Sequence, residues 1–479
     1  MNTTLVTAYH WLQAHLRWHT LHGARLRHYQ HQRAQRMIAW AWQHTPGYRR
    51  HWQAAGYDLA QAQQKWRQLP AIQRSTQLAD FAAFNAYGIT RSAAAAVAQA
   101  AEQPNQIAQS LPYAISAGFS SGTAGAAQRG LFLASPTERA IWAGVILARA
   151  LPPLPHMLRH ARTGYRVALF LRAHNQLYTA ASGRIVQVGY YGLAAAQRDP
   201  AQALTQLVQW QPHAIVAPPS LLVQLAQLPA ATQLHPERLV SVAEVLEPHD
   251  HALLVARWGG LVQQIYQIYQ ATEGVLAITC QAGRLHLQAD LLAVQLVPVP
   301  DADPALGYMQ PIITDLWRTT QPMLRFALDD VVQLELDPRP CPCGAGMPVL
   351  QAVIGRASDL LYLPRREGCG RRVVPVDSVR WMVGVGALDE VQGDAGWGGV
   401  PLAGVQDYQV EQVQGGQWRV RLGLEPHTDA AAIAAAVQAR VHQAAVQLGC
   451  VLPQVQVLTE LGPLTPGVKR RRISVHSSK

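Results

Sequence analysis

The stretch "FSSGTAGAAQRG", residues 119–130, sets Ser120, Ser121 and Thr123 among Gly122, Gly125 and alanines and closes on Arg129. Glycines let a backbone approach an anion, and main-chain N–H groups with hydroxyls donate to its oxygens. The composition therefore fits a phosphate cradle, and equally a surface connection. The pattern G-x-x-x-x-G-K-[ST] is absent, so the stretch is not the common P-loop. A second set of residues has metal chemistry. Cys280 and His286 flank a short "QAG" turn, and Cys341 and Cys343 lie one residue apart in "CPCG". Three thiolates and one imidazole suit tetrahedral zinc with no open position, which makes the ion structural rather than catalytic. Two buried cysteines beside an unrelated CPC are the alternative.

These residues need elements to hold them. "YAISAGF" reads as a strand entering the Gly/Ser loop, and "SPTERAIWAGVILARAL" as a helix whose Ser135 and Glu138 form a capping box. "YRVALFL", "HAIVAP", "RLVSVAEVL" and "QQIYQIYQATEG" read as strands separated by helices. That alternation predicts a largely parallel, doubly wound sheet with ligands beyond the strand C-termini. After residue 275 hairpins take over, with "VLAITC" and "RLHLQADLLAVQLVPV" facing each other across "QAG". Beyond "GRASD" a helix near 375–383, a hairpin, a long helix and a last strand make a small separate unit. The expected fold class is α/β, with a large doubly wound N-terminal domain and an added β subdomain over residues 1–355. A small mobile α+β C-terminal domain then covers 356–479.

The 479 residues exceed one ordinary core. Net charge is +11 with a pI near 9.7, which raises nucleic acid as a partner. Yet the N-terminal arginines alternate with Trp18, Leu26, Ile38, Trp40 and Trp42, the pattern of amphipathic helices with solvated basic faces. No nucleic acid is expected, while attraction to an anionic substrate, carrier protein or membrane surface stays open. Five cysteines argue against a disulfide framework, and Cys369 and Cys450 look unpaired. With no signal peptide pattern and no transmembrane segment, a cytoplasmic location is expected.

The Gly/Ser/Thr loop is followed in order by "YQATEG", "MLRFALDD", "IGRASDLL" and "PLTPGVKRRRI". That order resembles the adenylate-forming superfamily of acyl-CoA ligases and peptide-synthetase adenylation domains. It is most similar to the phenylacetate–CoA ligases, to the synthetase that adenylates a deazaflavin coenzyme, and to a neighbouring clade of predicted adenylate-forming enzymes. The resemblance runs from about residue 25 to 475. It implies that Ser120, Ser121, Gly122, Thr123 and Gly125 hold the ATP β- and γ-phosphates. The lysine usual after the last glycine is missing, and Arg129 is the candidate replacement. It further implies that Tyr269 stacks on adenine, Thr272 contacts the α-phosphate, Glu273 holds Mg²⁺, and Ala243 and Glu244 lie near the base. Asp330 would bind ribose, although Asp329 stands where many relatives have glycine. Arg356 precedes a hinge at Asp359. Lys469 reaches the carboxylate and α-phosphate in one of two lid orientations, and the Cys/His set holds structural zinc. The function implied is ATP-dependent adenylation of a carboxylic acid, then transfer to a thiol of CoA or a carrier protein. AMP transfer to a hydroxyl is one alternative. An inactive binding or scaffold homologue is another, favoured by the missing lysine. In "VGYYGL", an acyl-pocket-like segment, Tyr190 and Tyr191 would favour an aromatic acid or simply pack in the core.

Overall fold

The computed structural model describes residues 2–103, 110–120, 129–171, 182–259, 265–335, 339–385, 401–413, 416–462, 466 and 469–476. The N-terminal region is helical: α1 (Thr3–Thr20), α2 (Gly23–His44), α3 (Pro46–Ala54) and α4 (Leu59–Gln64). The "TPGY" break is where α3 starts, because Pro46 sits in the first turn, whose N–H has no helical partner anyway. The basic faces are only partly solvated, which corrects the expectation. Arg17 is buried and pairs with Asp290 at 2.8 Å, and Arg33 donates to the Leu316 carbonyl while lying 3.6 Å from the Trp317 ring centroid. These arginines satisfy a buried carboxylate and a bare carbonyl on the segment that α1 and α2 cover.

The extended link after α4 meets the body at Ile72, which exchanges backbone bonds with Arg325 and Ala327. Next come α5 (Arg74–Ala79) and α6 (Arg91–Glu102). A hairpin of β1 (Ser116–Phe119) and β2 (Leu131–Ala134) follows. The strand expected to feed the Gly/Ser loop therefore pairs in its own two-stranded sheet. Helix α7 (Pro136–Ala150) carries both bonds of the expected capping box. After α8 (Leu154–Leu158) the chain alternates through β3 (Tyr165–Leu171), β4 (Val186–Gly192), α9 (Leu193–Arg198), α10 (Pro200–Trp210) and β5 (Ala214–Ala217). It continues with α11 (Pro219–Gln227), β6 (Arg238–Val242), α12 (Pro248–Trp258) and β7 (Ile265–Ala271). Strands β4, β3, β5, β6 and β7 are neighbours in that order and pair in parallel.

Period-two alternation decides what covers each face. Val167, Leu169, Val216 and Val240 join the core shared with α7 and the N-terminal helices, whereas Ala168, Phe170, Ile215 and Leu239 pack with α9 to α12. The β-rich stretch extends this same sheet: β8 (Gly274–Thr279), β9 (Leu285–Leu287), β10 (Leu292–Pro298), β11 (Tyr308–Asp315), β12 (Phe326–Ala327), β13 (Asp330–Leu334) and β14 (Val349–Arg356). Among the described residues the sheet has twelve strands, with β8 antiparallel to β7 across the Ala271–Gly274 turn. Beyond Arg356 comes a short hairpin, β15 (Tyr362–Pro364) and β16 (Arg371–Val373). Helices α13 (Val376–Val383) and α14 (Ala430–Gln447) then share a separate core with β17 (Val405–Gln412), β18 (Trp418–Leu424), β19 (Val455–Leu458) and β20 (Ile473–Val475). Among the described residues no helix is long and apolar enough to cross a membrane.

Candidate active site

A cavity of about 220 Å³ opens at the C-terminal ends of β6 and β7, where a mixed sheet leaves strand ends unfilled. Asp330, at the start of β13, faces into it and lies opposite Arg356 in register. The Tyr269 hydroxyl donates to Asp330 Oδ2 at 2.8 Å. Burial pushes the Asp330 carboxyl up, against the opposing pull of Tyr269 and Arg356. Asp329 turns the other way, accepting from the Ser358 hydroxyl at 2.6 Å.

The turn after β7 presents Thr272 and Glu273. The Thr272 hydroxyl donates to Glu273 Oε2 at 2.7 Å, and Arg74 Nη2 donates to Oε1 at 2.9 Å. Burial works to raise the Glu273 carboxyl, but Arg74 and the Thr272 hydroxyl outweigh it and hold it below the usual carboxylate range. Arg318, fully buried, fixes the turn from behind by donating to the Thr272 carbonyl at 3.0 Å and the Leu133 carbonyl at 2.9 Å. Its loop is held in turn by Glu138, which accepts from the Thr319 and Thr320 N–H groups at 2.7 and 2.8 Å. The capping residue of α7 thus also orders the far side of the site.

Ser120 lines the cavity and closes the base of its loop. Its N–H donates to the Gly130 carbonyl at 2.7 Å, and its hydroxyl accepts from the Gly130 N–H at 2.8 Å. Ser121, Gly122, Thr123 and Gly125 lie outside the described residues. Arg129 does not line this cavity. Its guanidinium grips the Glu102 carboxylate with two nitrogens and donates to the Ser120 carbonyl at 2.8 Å. The cation facing the site from this side is Arg74, whose buried Nε has no partner among the described residues. No motif marked Arg74. The backbone bonds of Ile72 to residues 325 and 327 bring it there, and a single sequence does not display that pairing.

Ala243 follows β6 with φ +70°, a left-handed conformation unusual for a residue with a Cβ. Glu244 caps the start of α11 by accepting from the Ser220 N–H at 3.1 Å, and its other oxygen accepts from the Arg470 N–H at 3.1 Å. Lys469 enters next to these groups. Burial and the nearby Arg356 charge lower its ammonium from the usual 10.5 to about 8, with Asp330 and Glu244 opposing.

A second cavity, of about 270 Å³, shares Ala243, Glu244, Gln270, Thr272 and Lys469 with the first and runs between α7 and the sheet. Its walls are apolar: Trp142, Ile146 and Leu151 on one side, Val167, Val188 and Val240 on the other. Tyr190 and Tyr191 line neither cavity, and Tyr191 stacks on Phe170 at 5.0 Å between centroids.

The four metal-ligating candidates converge about the β8–β9 turn. Cys280 Sγ lies 3.6 Å from Cys341 Sγ, and Cys343 Sγ lies 3.5 Å from His286 Nε2. All four ligand atoms fall within 4.8 Å of one another. A tetrahedron with about 2.3 Å metal–sulfur and 2.0 Å metal–nitrogen bonds has edges of about 3.5–3.8 Å. His286 Nδ1 lies 2.9 Å from the Met347 carbonyl, so it carries the proton and leaves Nε2 with a free lone pair. The donor set fits zinc.

No family model matches the sequence, and no curated protein does. Solved structures do match over most of its length. The chain is similar to 2-hydroxyisobutyryl-CoA ligase in its postadenylation state with R3-HIB-AMP, at 17% identity, 97% of this chain, 92% of that one and a TM-score of 0.65. The same ligase in the postadenylation state with 2-HIB-AMP gives 19%, 97%, 92% and 0.62. An open conformation with 2-HIB-AMP and CoA gives 18%, 94%, 91% and 0.56. At these identities the likeness establishes architecture alone, and the chain shares the mixed α/β fold of that ligase.

Proposed function

We propose that this protein activates a carboxylic acid as an acyl adenylate using ATP, then transfers the acyl group to a thiol, of CoA or of a carrier protein. The observation that carries the reading is the junction of a polar and an apolar cavity at Thr272 and Lys469. In the reaction a carboxylate oxygen bonds to the α-phosphorus while the bond to pyrophosphate breaks; thiolate attack on the acyl carbonyl then releases AMP.

The roles rest on the sequence motifs and, for the described residues, are supported by their place at the two cavities. Asp330 accepts from the ribose hydroxyls, with Tyr269 beside it packing on the base and Ala243 and Glu244 at the base's edge. Ser120, Ser121, Gly122, Thr123 and Gly125 cradle the phosphates, and Arg74 takes the place proposed from sequence for Arg129. Thr272 addresses the α-phosphate. Glu273 is kept ionised and retains lone pairs beyond its bonds from Arg74 and Thr272, which fits the oxygen ligation Mg²⁺ requires. Mg²⁺ bound there would neutralise phosphate charge. Lys469 offsets the charge that builds as carboxylate meets phosphate. The chain beyond Arg356 acts as a lid, and the Cys/His set binds zinc structurally. That set, together with the motif order, supports kinship with the phenylacetate–CoA ligase branch.

ATP–pyrophosphate exchange over a panel of acids tests this. Acid-dependent exchange, with AMP release on adding CoA, is expected. Exchange only with a hydroxylated acceptor would favour AMP transfer to a hydroxyl, and none with any acid or acceptor would leave a binding homologue.

A further inference from the structure

The second cavity carries more information than its position. Its α7 wall uses Trp142, Ile146, Leu147 and Ala150, one helical face that runs for about 12 Å at 1.5 Å per residue, and Leu151 follows at the C-cap. The facing strands contribute residues two apart, Val167 with Leu169 and Val186 with Val188, so that one pleated face meets the helix. The slot thus continues from the Lys469 end of the sheet back to Val186, the first residue of β4. Its volume of about 270 Å³ well exceeds the roughly 150 Å³ apolar cavity that accommodates a benzene ring.

Among the described residues, the polar side chains that line the slot, apart from Glu102, are those it shares with the first cavity. Glu244, Gln270, Thr272 and Lys469 are shared with the nucleotide cavity, and Glu102, the other charged wall residue, is held by Arg129 in a two-nitrogen grip. A hydroxyl, amine or second carboxylate carried deep into this slot would lose water and find no compensating partner among the described residues. A short branched acid would leave most of the wall without contacts.

We infer that the substrate is an unsubstituted medium-chain aliphatic acid, with its carboxylate at Lys469 and an alkyl tail of about eight to ten carbons along α7. This rests on the adenylation reading, because the carboxylate must meet ATP at the shared mouth. Ala150, small and buried at the end of α7, sets the depth.

The test is exchange kinetics with saturated acids of about two to about twelve carbons. Specificity, kcat/KM, is expected to rise about 3–4-fold per methylene until the slot is full and then fall. The substitution Ala150→Leu should move the optimum to shorter acids while leaving ATP affinity unchanged. A hydroxy, amino or compact aromatic acid outperforming every aliphatic one would overturn the inference and leave adenylation standing. The wild-type length profile decides this even if the variant does not fold. If no acid supports exchange, displacement of a fluorescent medium-chain fatty acid by decanoate reads the slot directly. Displacement would keep the slot and discard adenylation, whereas no binding would overturn the slot as well.

Discussion

Asp329 and Asp330 are neighbours of identical chemistry, yet one bonds Ser358 and the other faces Tyr269 in the cavity. The Asp330→Ala substitution should therefore weaken ATP binding about 10–100-fold, the worth of hydrogen bonds to a charged group. Asp329→Ala should leave it nearly unchanged, and calorimetry giving the reverse order would exchange their roles. Lys469 invites a sharper test. Lys469→Ala should slow adenylate formation about 10²–10³-fold, while thioester formation from synthetic acyl-AMP proceeds. With its ammonium lowered to about 8, its charge is lost as pH rises through that value, so kcat/KM for exchange should fall above pH 8. Stability runs with the opposite sign. The unfolded chain keeps this proton to higher pH, so the cost to folding is full below pH 8 and fades toward 10.5. An arginine at 469 stays charged and should abolish the alkaline fall; a fall that persists would assign it to another group.

Elements built on local pattern were legible in the sequence. The capping box of α7, the alternating strands β3, β5 and β6, and the "QAG" turn that joins Cys280 to His286 each announce themselves within about ten residues. What was hidden depends on distant pairing. Arg318 reaches the Thr272 carbonyl from 46 residues away, and Arg74 reaches Glu273 from 199, with nothing in either local stretch to mark them. Arg129 misled for the same reason: its partner Glu102 lies 27 residues upstream on α6. The Cys/His cluster stands between these cases, because one pair is local and the other arrives from residues 341–343. About one zinc per chain should copurify, and Cys341→Ser should lose it and melt at least about 5 °C lower. Metal analysis of fresh protein without zinc would end that assignment.

At the scale of the molecule, the region beyond Arg356 is fastened to the large sheet by buried charge. Arg380 Nε of α13 donates to Glu247 Oε2 at 2.5 Å, just ahead of α12. Arg472 grips both Asp250 oxygens at 2.7 and 3.0 Å while its Nε holds Asp407 at 2.8 Å. Burial works to raise both acids, but Arg380 holds Glu247 below its usual range, and His249 with Arg472 takes Asp250 to about 2. Under the function proposed above, these pairs would hold Lys469 at the cavity junction, stabilise the orientation used for adenylation and have to break for the lid to turn. Removing one partner of a buried pair strands the other, a cost of about 3–5 kcal/mol that rotation into water relieves. Arg380→Met should accordingly shift the lid away from this orientation, lowering adenylate formation at least about 10-fold while sparing thioester formation from acyl-AMP. Because the paired carboxylates have lowered pKa values, this fastening holds above their ordinary range and weakens as pH falls toward 2. Equal losses in both half-reactions would mean that Arg380 supports folding alone. A selective loss in the first, matched by Glu247→Gln, would identify the pair as the latch that sets which half-reaction the enzyme is ready to perform.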